Sequence, residues 1–346
     1  MTAIKYAQTF CTVQDIIADS NSPGVDDARV FGAISEISEF LMKEIGWFYP
    51  VTLTHRFHGF GKEKLILPYP LLSITSITND GTTLSASDYI TKPDEGMWPY
   101  GPISHLIVDP DAANLGAWVD EEDGVVLVGD WGMYLRSASI GATVQDNPQT
   151  NAQTTLKVSN GSLVSPGMAL LIETEQQHVT GWSDPTAGVT TLGAAITAVT
   201  DEVITLADAS LVNVGEVLRV DFEQMRVRDR KTSNNTVLVT RGWNGSAKTT
   251  HSNAAAVDAY RTVTVTRGVN GTTAAQHAQA VAINRYQPPQ DVNMLAKQMA
   301  TLLINKARGG YQGREGNVEL GTIFYHDVFT RDIETIKQQY FFGRVS

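Results

Sequence analysis

The sequence is poor in cysteine, in charge and in long apolar runs. Cys11 is the only cysteine among 346 residues, so no intramolecular disulfide can form and cysteine-based metal sites are excluded. No apolar run approaches the roughly 20 residues that a membrane-spanning helix needs. Met1–Phe10 lacks a basic start followed by an apolar stretch, so no signal peptide is expected. An excess of bases is missing too: 37 acidic side chains face 26 basic ones, for a net charge of −11. Free-standing nucleic-acid binders draw their affinity from clustered Lys and Arg, and no part of this chain offers such a cluster. The acids are concentrated in residues 1–150, at net −12, against −1 for 151–284 and +2 for 285–346. These absences describe a soluble, acidic protein of a reducing compartment.

What is present favours strands and turns. Apolar residues make up 42%, charged residues only 18%, and 29 glycines accompany recurring Thr, Val and Ala. The length suits roughly two domains, with enough apolar residues for a real core.

Three regions follow one another. In the first, Thr12–Ile17 has the form of a short capped helix. Val25–Ile45 carries Val30, Ile34, Ile37, Leu41 and Ile45 on one helical face. Ser22 and Pro23 suit its start, and Gly46 its end. Strands are expected at Val51–Phe57, along Leu65–Thr78, at Ser87–Ile90 and at Gly124–Gly129. A hairpin is expected at Asp80-Gly81.

The second region, 141–284, carries an internal repeat. Ser162-Leu163-Val164, Gly167, Leu170, Ile172, Glu175, Gln176 and Val179 recur 48 residues later, from Ser210 to Val227. Val239-Thr-Arg241-Gly242-Trp243-Asn244-Gly245 with His251 recurs 26 residues later as Val265-Thr-Arg267-Gly268-Val269-Asn270-Gly271 with His277. The order front, front, back, back is most simply one β-unit nested in another, about 196–260 inside 154–195 plus 262–284, with a tandem arrangement of one intact and one degraded copy as the alternative. Short Val- and Thr-rich units suit small barrels or sandwiches. In the third region, 285–346, Pro288-Pro289 opens an amphipathic helix through Val292, Leu295, Met299, Leu302, Leu303 and Lys306, and an aromatic tail closes the chain.

Candidate chemistry is sparse. His55 and His58 lie three apart, on opposite faces of a strand, so they do not converge on a metal. Asp120–Asp123 lacks the pattern of a calcium loop and reads as a solvated turn. Arg241, Gly242, Asn244 and Gly245, with Arg267, Gly268, Asn270 and Gly271, read as repeated tight turns. His251 and His277 follow these turns at similar distances, so each is expected to make the same structural hydrogen bond in its unit. Glu175-Gln176 and Glu223-Gln224 invite the same structural reading. No nucleophile elbow, phosphate loop or zinc-protease motif occurs. The expectation is no catalytic residue, no metal and no cofactor.

Without the middle region, the order of the remaining elements carries a resemblance. A helical start is followed by Leu65-Ile-Leu-Pro-Tyr-Pro-Leu-Leu-Ser-Ile-Thr-Ser-Ile-Thr-Asn-Asp-Gly-Thr, Ser87-Asp88-Tyr89, Val125–Met133 and Pro288-Pro-Gln-Asp-Val. This outline resembles the head-tail connector (adaptor) proteins of tailed bacteriophages, over about 200 of the 346 residues. The resemblance implies an α+β fold. Its helical connector core would comprise N-terminal helices, a small β-region (within 1–140) and a C-terminal helix (285–346). An all-β domain of two similar units would be inserted at 141–284.

It further implies a non-enzymatic virion protein, made in the bacterial host cytoplasm and placed in the neck. Its partners would be the portal protein, a tail or stopper protein, and itself, in a ring of roughly twelve copies closed head-to-tail. DNA would pass through without sequence-specific binding, and no membrane is involved. Tyr340, Phe341, Phe342 and Arg344 are the candidate portal interface, because aromatics and Arg anchor interfaces. The alternative is a tail or baseplate protein with carbohydrate-binding β-modules, for which Trp182 and Trp243 are the available aromatics.

Overall fold

The structure, a computed structural model, describes residues 8–19, 26–92, 102–133, 135–308, 314–315, 323–324 and 329–340. Helix α1 (Val13–Asp19) is capped reciprocally: the Thr12 hydroxyl accepts from the Asp15 N–H at 3.1 Å, and the Asp15 carboxylate accepts from the Thr12 N–H at 2.8 Å. Helix α2 (Asp27–Ile45) starts at an Asp26 cap, whose carboxylate accepts from the Arg29 N–H at 2.7 Å. Ser22 and Pro23 lie outside the described residues. The α2 stripe Val30, Ile34, Leu41 and Ile45 is buried, and Gly46, at φ 86°, ends the helix.

Six strands then form the first sheet: β1 (Val51–Phe57), β2 (Lys64–Asn79), β3 (Thr82–Thr83), β4 (Tyr89–Lys92), β5 (Ile103–Val108) and β6 (Val125–Trp131). Their order is β1-β6-β2-β5-β4, with β3 on β2. Pro68 and Pro70 fall inside the long β2 and cannot donate to a ladder; the β2–β5 register shifts there, between Ile66 and Leu71. Asp80 and Gly81, at φ 50° and 73°, make the expected tight hairpin. The buried indoles of Trp118 and Trp131 are satisfied by the carbonyls of Glu63 and Leu53, each at 3.1 Å.

The next twelve strands form two barrels. The outer barrel begins with β7 (Ser137–Thr143), β8 (Thr155–Lys157), β9 (Ala169–Ile172) and β10 (Glu175–Trp182). The chain then makes a whole inner barrel: β11 (Thr186–Thr191), β12 (Val203–Thr205), β13 (Val217–Val220), β14 (Glu223–Lys231), β15 (Thr236–Arg241) and β16 (Ala256–Ala259). It returns to the outer barrel with β17 (Thr262–Thr266) and β18 (Ala282–Tyr286).

The orders β7-β18-β9-β10-β17-β8 and β11-β16-β13-β14-β15-β12 match strand for strand. Each sheet closes on itself through a bridge between its first and last strands, Val144 to Val158 and Leu192 to Leu206. Backbone bonds flank each bridge: Gln145 N–H to Lys157 O at 2.7 Å, and Gly193 N–H to Thr205 O at 2.8 Å. Closure removes the free edges. Each barrel has its own buried apolar core.

The inner barrel occupies the β10–β17 connection. In the inner barrel the same connection is only the short turn Thr232–Asn235. Residues 186–191 belong to the inner barrel, and the outer barrel starts at Ser137. The repeated phrases alone put these limits at 196 and 154, because β7 and β11 share no recognisable phrase.

The chain closes with α3 (Gln290–Arg308) and α4 (Thr330–Tyr340). Val292, Leu295, Ala296, Ala300 and Ile304 of α3, with Ile333 and Ile336 of α4, join the buried stripe of α2 in one cluster.

The expected α+β fold on a helical core is overturned. Strand accounts for 40% of the described residues and helix for 20%, and three six-stranded antiparallel sheets are the body of the molecule. The resemblance weighted the order of elements and not their amount. It also left β5 and β7 unread, so the share of strand was underestimated.

Candidate functional site

Each barrel is plugged at one end by a buried ionic cluster. In the outer barrel, Arg267 leaves β17 and gives Nε and Nη2 to the two oxygens of Glu175 at 2.7 and 2.8 Å. Its other N–H groups go to the carbonyls of Thr150, Gln153 and Ala275, so all five donors are used. His277 bridges Glu175 and Glu173, each at 2.7 Å. The inner barrel repeats this. Arg241 pairs with Glu223 at 2.6 Å twice and reaches the carbonyls of Ala198, Asp201 and Thr249. His251 bridges Glu223 at 2.9 Å and Asp221 at 2.8 Å.

Burial pushes both glutamate carboxyls up. The Arg and His partners and two backbone N–H groups outweigh it and hold each at about 2. The Arg and Glu at the centre of each cluster and both nitrogens of its His are bonded within the barrel, while Glu173 and Asp221 are also exposed to solvent. The arrangement ties loops together.

The repeated Arg-Gly-x-Asn-Gly turns do more than reverse the chain. Asn270 Nδ2 and Asn244 Nδ2 each donate at 2.9 Å to the glutamine after the cluster glutamate, Gln176 and Gln224. The outer turn then docks on the first sheet: the Thr52 N–H donates to Asn270 O, and Gln176 Nε2 to Pro50 O, both at 2.9 Å. The inner turn docks on the start of α2. Trp243 Nε1 and Asn244 Nδ2 donate to the Asp27 carboxylate at 3.1 and 3.2 Å, and Asn244 Oδ1 accepts from the Asp27 N–H at 3.0 Å. Asp27→Ala is therefore expected to leave the Trp243 indole unpaired and cost about 1–2 kcal/mol. Denaturant unfolding followed by tryptophan fluorescence checks this.

The barrels meet at a second joint. Arg261, between β16 and β17, gives Nε and Nη2 to Glu216 at 2.8 and 2.7 Å, and the Gly161 N–H donates to the same carboxylate at 3.0 Å. Gly161 has no room for a side chain, since a Cβ there would lie 1.8 Å from Tyr260 O.

Between the inner barrel, docked on α2, and the outer barrel, docked on the first sheet, a gap remains. It is a cavity of about 480 Å³ at the junction of α1, α2 and both barrels. Trp182 and Tyr260 line it and meet edge to face at 6.4 Å. Arg226 also lines it. This side chain lies 5.1 Å over the Trp243 ring and donates from Nη2 to Gln14 Oε1 at 2.5 Å.

The remaining sequence candidates fall apart from this junction. His55 stacks on Tyr69 at 5.4 Å and meets Trp131 edge-on at 4.5 Å. Burial lowers its pKa. His58 stacks on Phe60 and lies 3.8 Å from Asp120. Asp120–Asp123 is a mostly exposed turn before β6. Among the described residues, no three His, Cys, Asp or Glu side chains gather where a metal could sit. No described helix is long and apolar enough to cross a membrane. Tyr340 is the last residue of α4, and Phe341, Phe342 and Arg344 lie outside the described residues. Sequence reasoning missed Asp27, Gln14 and Arg226. They belong to no motif, and only Arg226 carries a signal, since it replaces His178 of the other repeat.

Comparison with known protein families and with curated protein sequences finds no match for this chain.

Proposed function

We propose that this chain is a structural virion protein of a tailed bacteriophage: a head-tail connector that forms a ring between the portal and the tail or stopper. The observation that carries this reading is how the two ends of the chain come together. The Gln287 N–H donates to Arg136 O at 2.8 Å, and β7 pairs with β18, so the barrels leave and rejoin the chain at one point. What remains after removing the barrels is one connected unit. The helix cluster and the first sheet share Trp47 and Leu53. That unit contains the elements whose order resembles the connector family.

Two further points support a structural role. The Arg–Glu–His cluster of each barrel is consumed in tying its loops together. The surplus of acid in residues 1–150 suits a wall past which DNA moves without sticking, since phosphates are repelled by carboxylates. The carbohydrate-binding alternative needs exposed tryptophans on an outer face. Trp243 is buried with its indole on Asp27, and Trp182 lines the cavity.

The test is light scattering of the purified chain, alone and mixed with a portal ring. A ring-sized particle bound to the portal is the expected result. A chain that ignores the portal and stays monomeric, or forms trimers, would remove the connector reading.

A further inference from the structure

We propose that the junction cavity is a binding site for a carboxylate carried on an apolar body, held by Arg226. Three described arginines have buried side chains, Arg226, Arg241 and Arg267, and Arg267 is paired with Glu175. Arg241 has Glu223. Arg226, at 8% exposure, has no carboxylate within ion-pair distance and makes one hydrogen bond, from Nη2 to Gln14. Its Nε and Nη1 donate to no described residue. A guanidinium carries five N–H donors in a planar fork that matches a carboxylate, and a buried charge without a counter-ion is costly.

The acids near the cavity are otherwise engaged. Asp26 is exposed and caps α2 through the Arg29 N–H; Asp27 is held by Trp243 and Asn244. Burial pulls the Arg226 pKa down, and the charge of Asp27 offsets this only in part. The rest of the wall is largely apolar, with Val13, Ile17, Phe31, Val164, Pro166 and Val217. A volume of about 480 Å³ is that of a small-ligand or side-chain pocket.

The duplicated barrel supplies an internal control. The outer barrel has the same strands, the same ionic plug and the same glutamine-to-asparagine contact. At the positions of Arg226 and Trp243 it carries His178 and Val269. The fold therefore does not require a buried arginine under a tryptophan, and the pair belongs to the cavity. The carboxylate has two possible sources, a free organic acid or an acidic side chain with apolar neighbours on a partner protein.

The experiment uses the full chain and follows tryptophan fluorescence and binding heat with three probes: phenylbutyrate, phenylbutanol, and a blocked Leu-Glu-Leu peptide. Saturable binding of phenylbutyrate or the peptide, at least tenfold tighter than phenylbutanol, is expected. Binding of the peptide alone would identify a partner protein as the source, and binding of phenylbutyrate would identify a free acid. Arg226→Gln should lose tenfold or more, while Arg226→Lys, which keeps the charge but not the planar fork, should fall between the Gln variant and the unaltered chain. Unchanged thermal unfolding of both variants separates a lost site from a lost fold. Binding of neither carboxylate, equal binding of the alcohol, or full binding by folded Arg226→Gln overturns the proposal.

Discussion

Glu223→Gln is expected to destabilise the inner barrel by about 3–5 kcal/mol, the range for breaking a buried ion pair and stranding one partner. The amide keeps the shape of the carboxylate but offers one acceptor where Arg241 and the N–H groups of Gly242 and Thr249 need two oxygens. Glu175→Gln should cost the outer barrel a similar amount, because Arg267, Gly268 and Ala275 repeat the geometry.

The nesting makes the two variants differ in reach. Unfolding the inner barrel disturbs only a connection of the outer one. Unfolding the outer barrel separates β10 from β17 and removes the frame that holds both ends of the inner barrel. Hydrogen exchange should therefore show a loss confined to residues 186–259 in Glu223→Gln, and a loss across both barrels in Glu175→Gln. Equal patterns would refute the asymmetry. The same carboxylates set an acid limit. Their pKa falls from an ordinary 4.5 to about 2 on folding. The stability they contribute, about 3 kcal/mol each, is complete above pH 4.5 and is lost as pH falls through about 2.

Excising the inner barrel is expected to leave the outer one folded. Residues 184–261 are replaced by Thr-Ser-Asn-Asn, the turn that the inner barrel uses at the matching place, residues 232–235. The joint suits this cut: the Ser183 N–H already donates to Thr262 O at 3.0 Å. The replacement asparagine occupies the position of Arg261, whose carbonyl accepts from the Val158 N–H; in the inner barrel the Asn235 carbonyl accepts from Leu206 in the same way. A shortened chain that keeps a cooperative transition and its remaining strand content by circular dichroism is the expected outcome. A molten or aggregated product would mean that the barrels fold only together.

Much of this was legible in the residues. Apolar spacing located the buried face of α2, and Asp80-Gly81 located a hairpin because only a positive-φ pair fits there. The nested repeat was legible because the plug needs the same residues twice: a glutamate after the β-turn, an arginine ending a strand, and a histidine in the following loop. The second carboxylate partner of each histidine was not, because Glu173 and Asp221 differ in type and so do not read as a repeat. Nor was the amount of strand, since β5 (Ile-Ser-His-Leu-Ile-Val) does not alternate and β7 alternates mostly small residues, Ser, Ala and Gly, around Ile140. The cavity had no signature, because it is a space left between three bodies and no single segment encodes it. Asp27, sequence-distant from Trp243, shows why: contacts between units are set by docking and leave no local pattern.

The nested connection also decides how the molecule would carry load. The inner barrel hangs from two neighbouring strands whose ends are hydrogen-bonded across Ser183 and Thr262. Tension applied along the chain passes from β10 to β17 through that pair and bypasses the inner barrel. A pulling experiment on the chain ends should therefore rupture the outer barrel first and load the inner one only afterwards, once its anchor has given way.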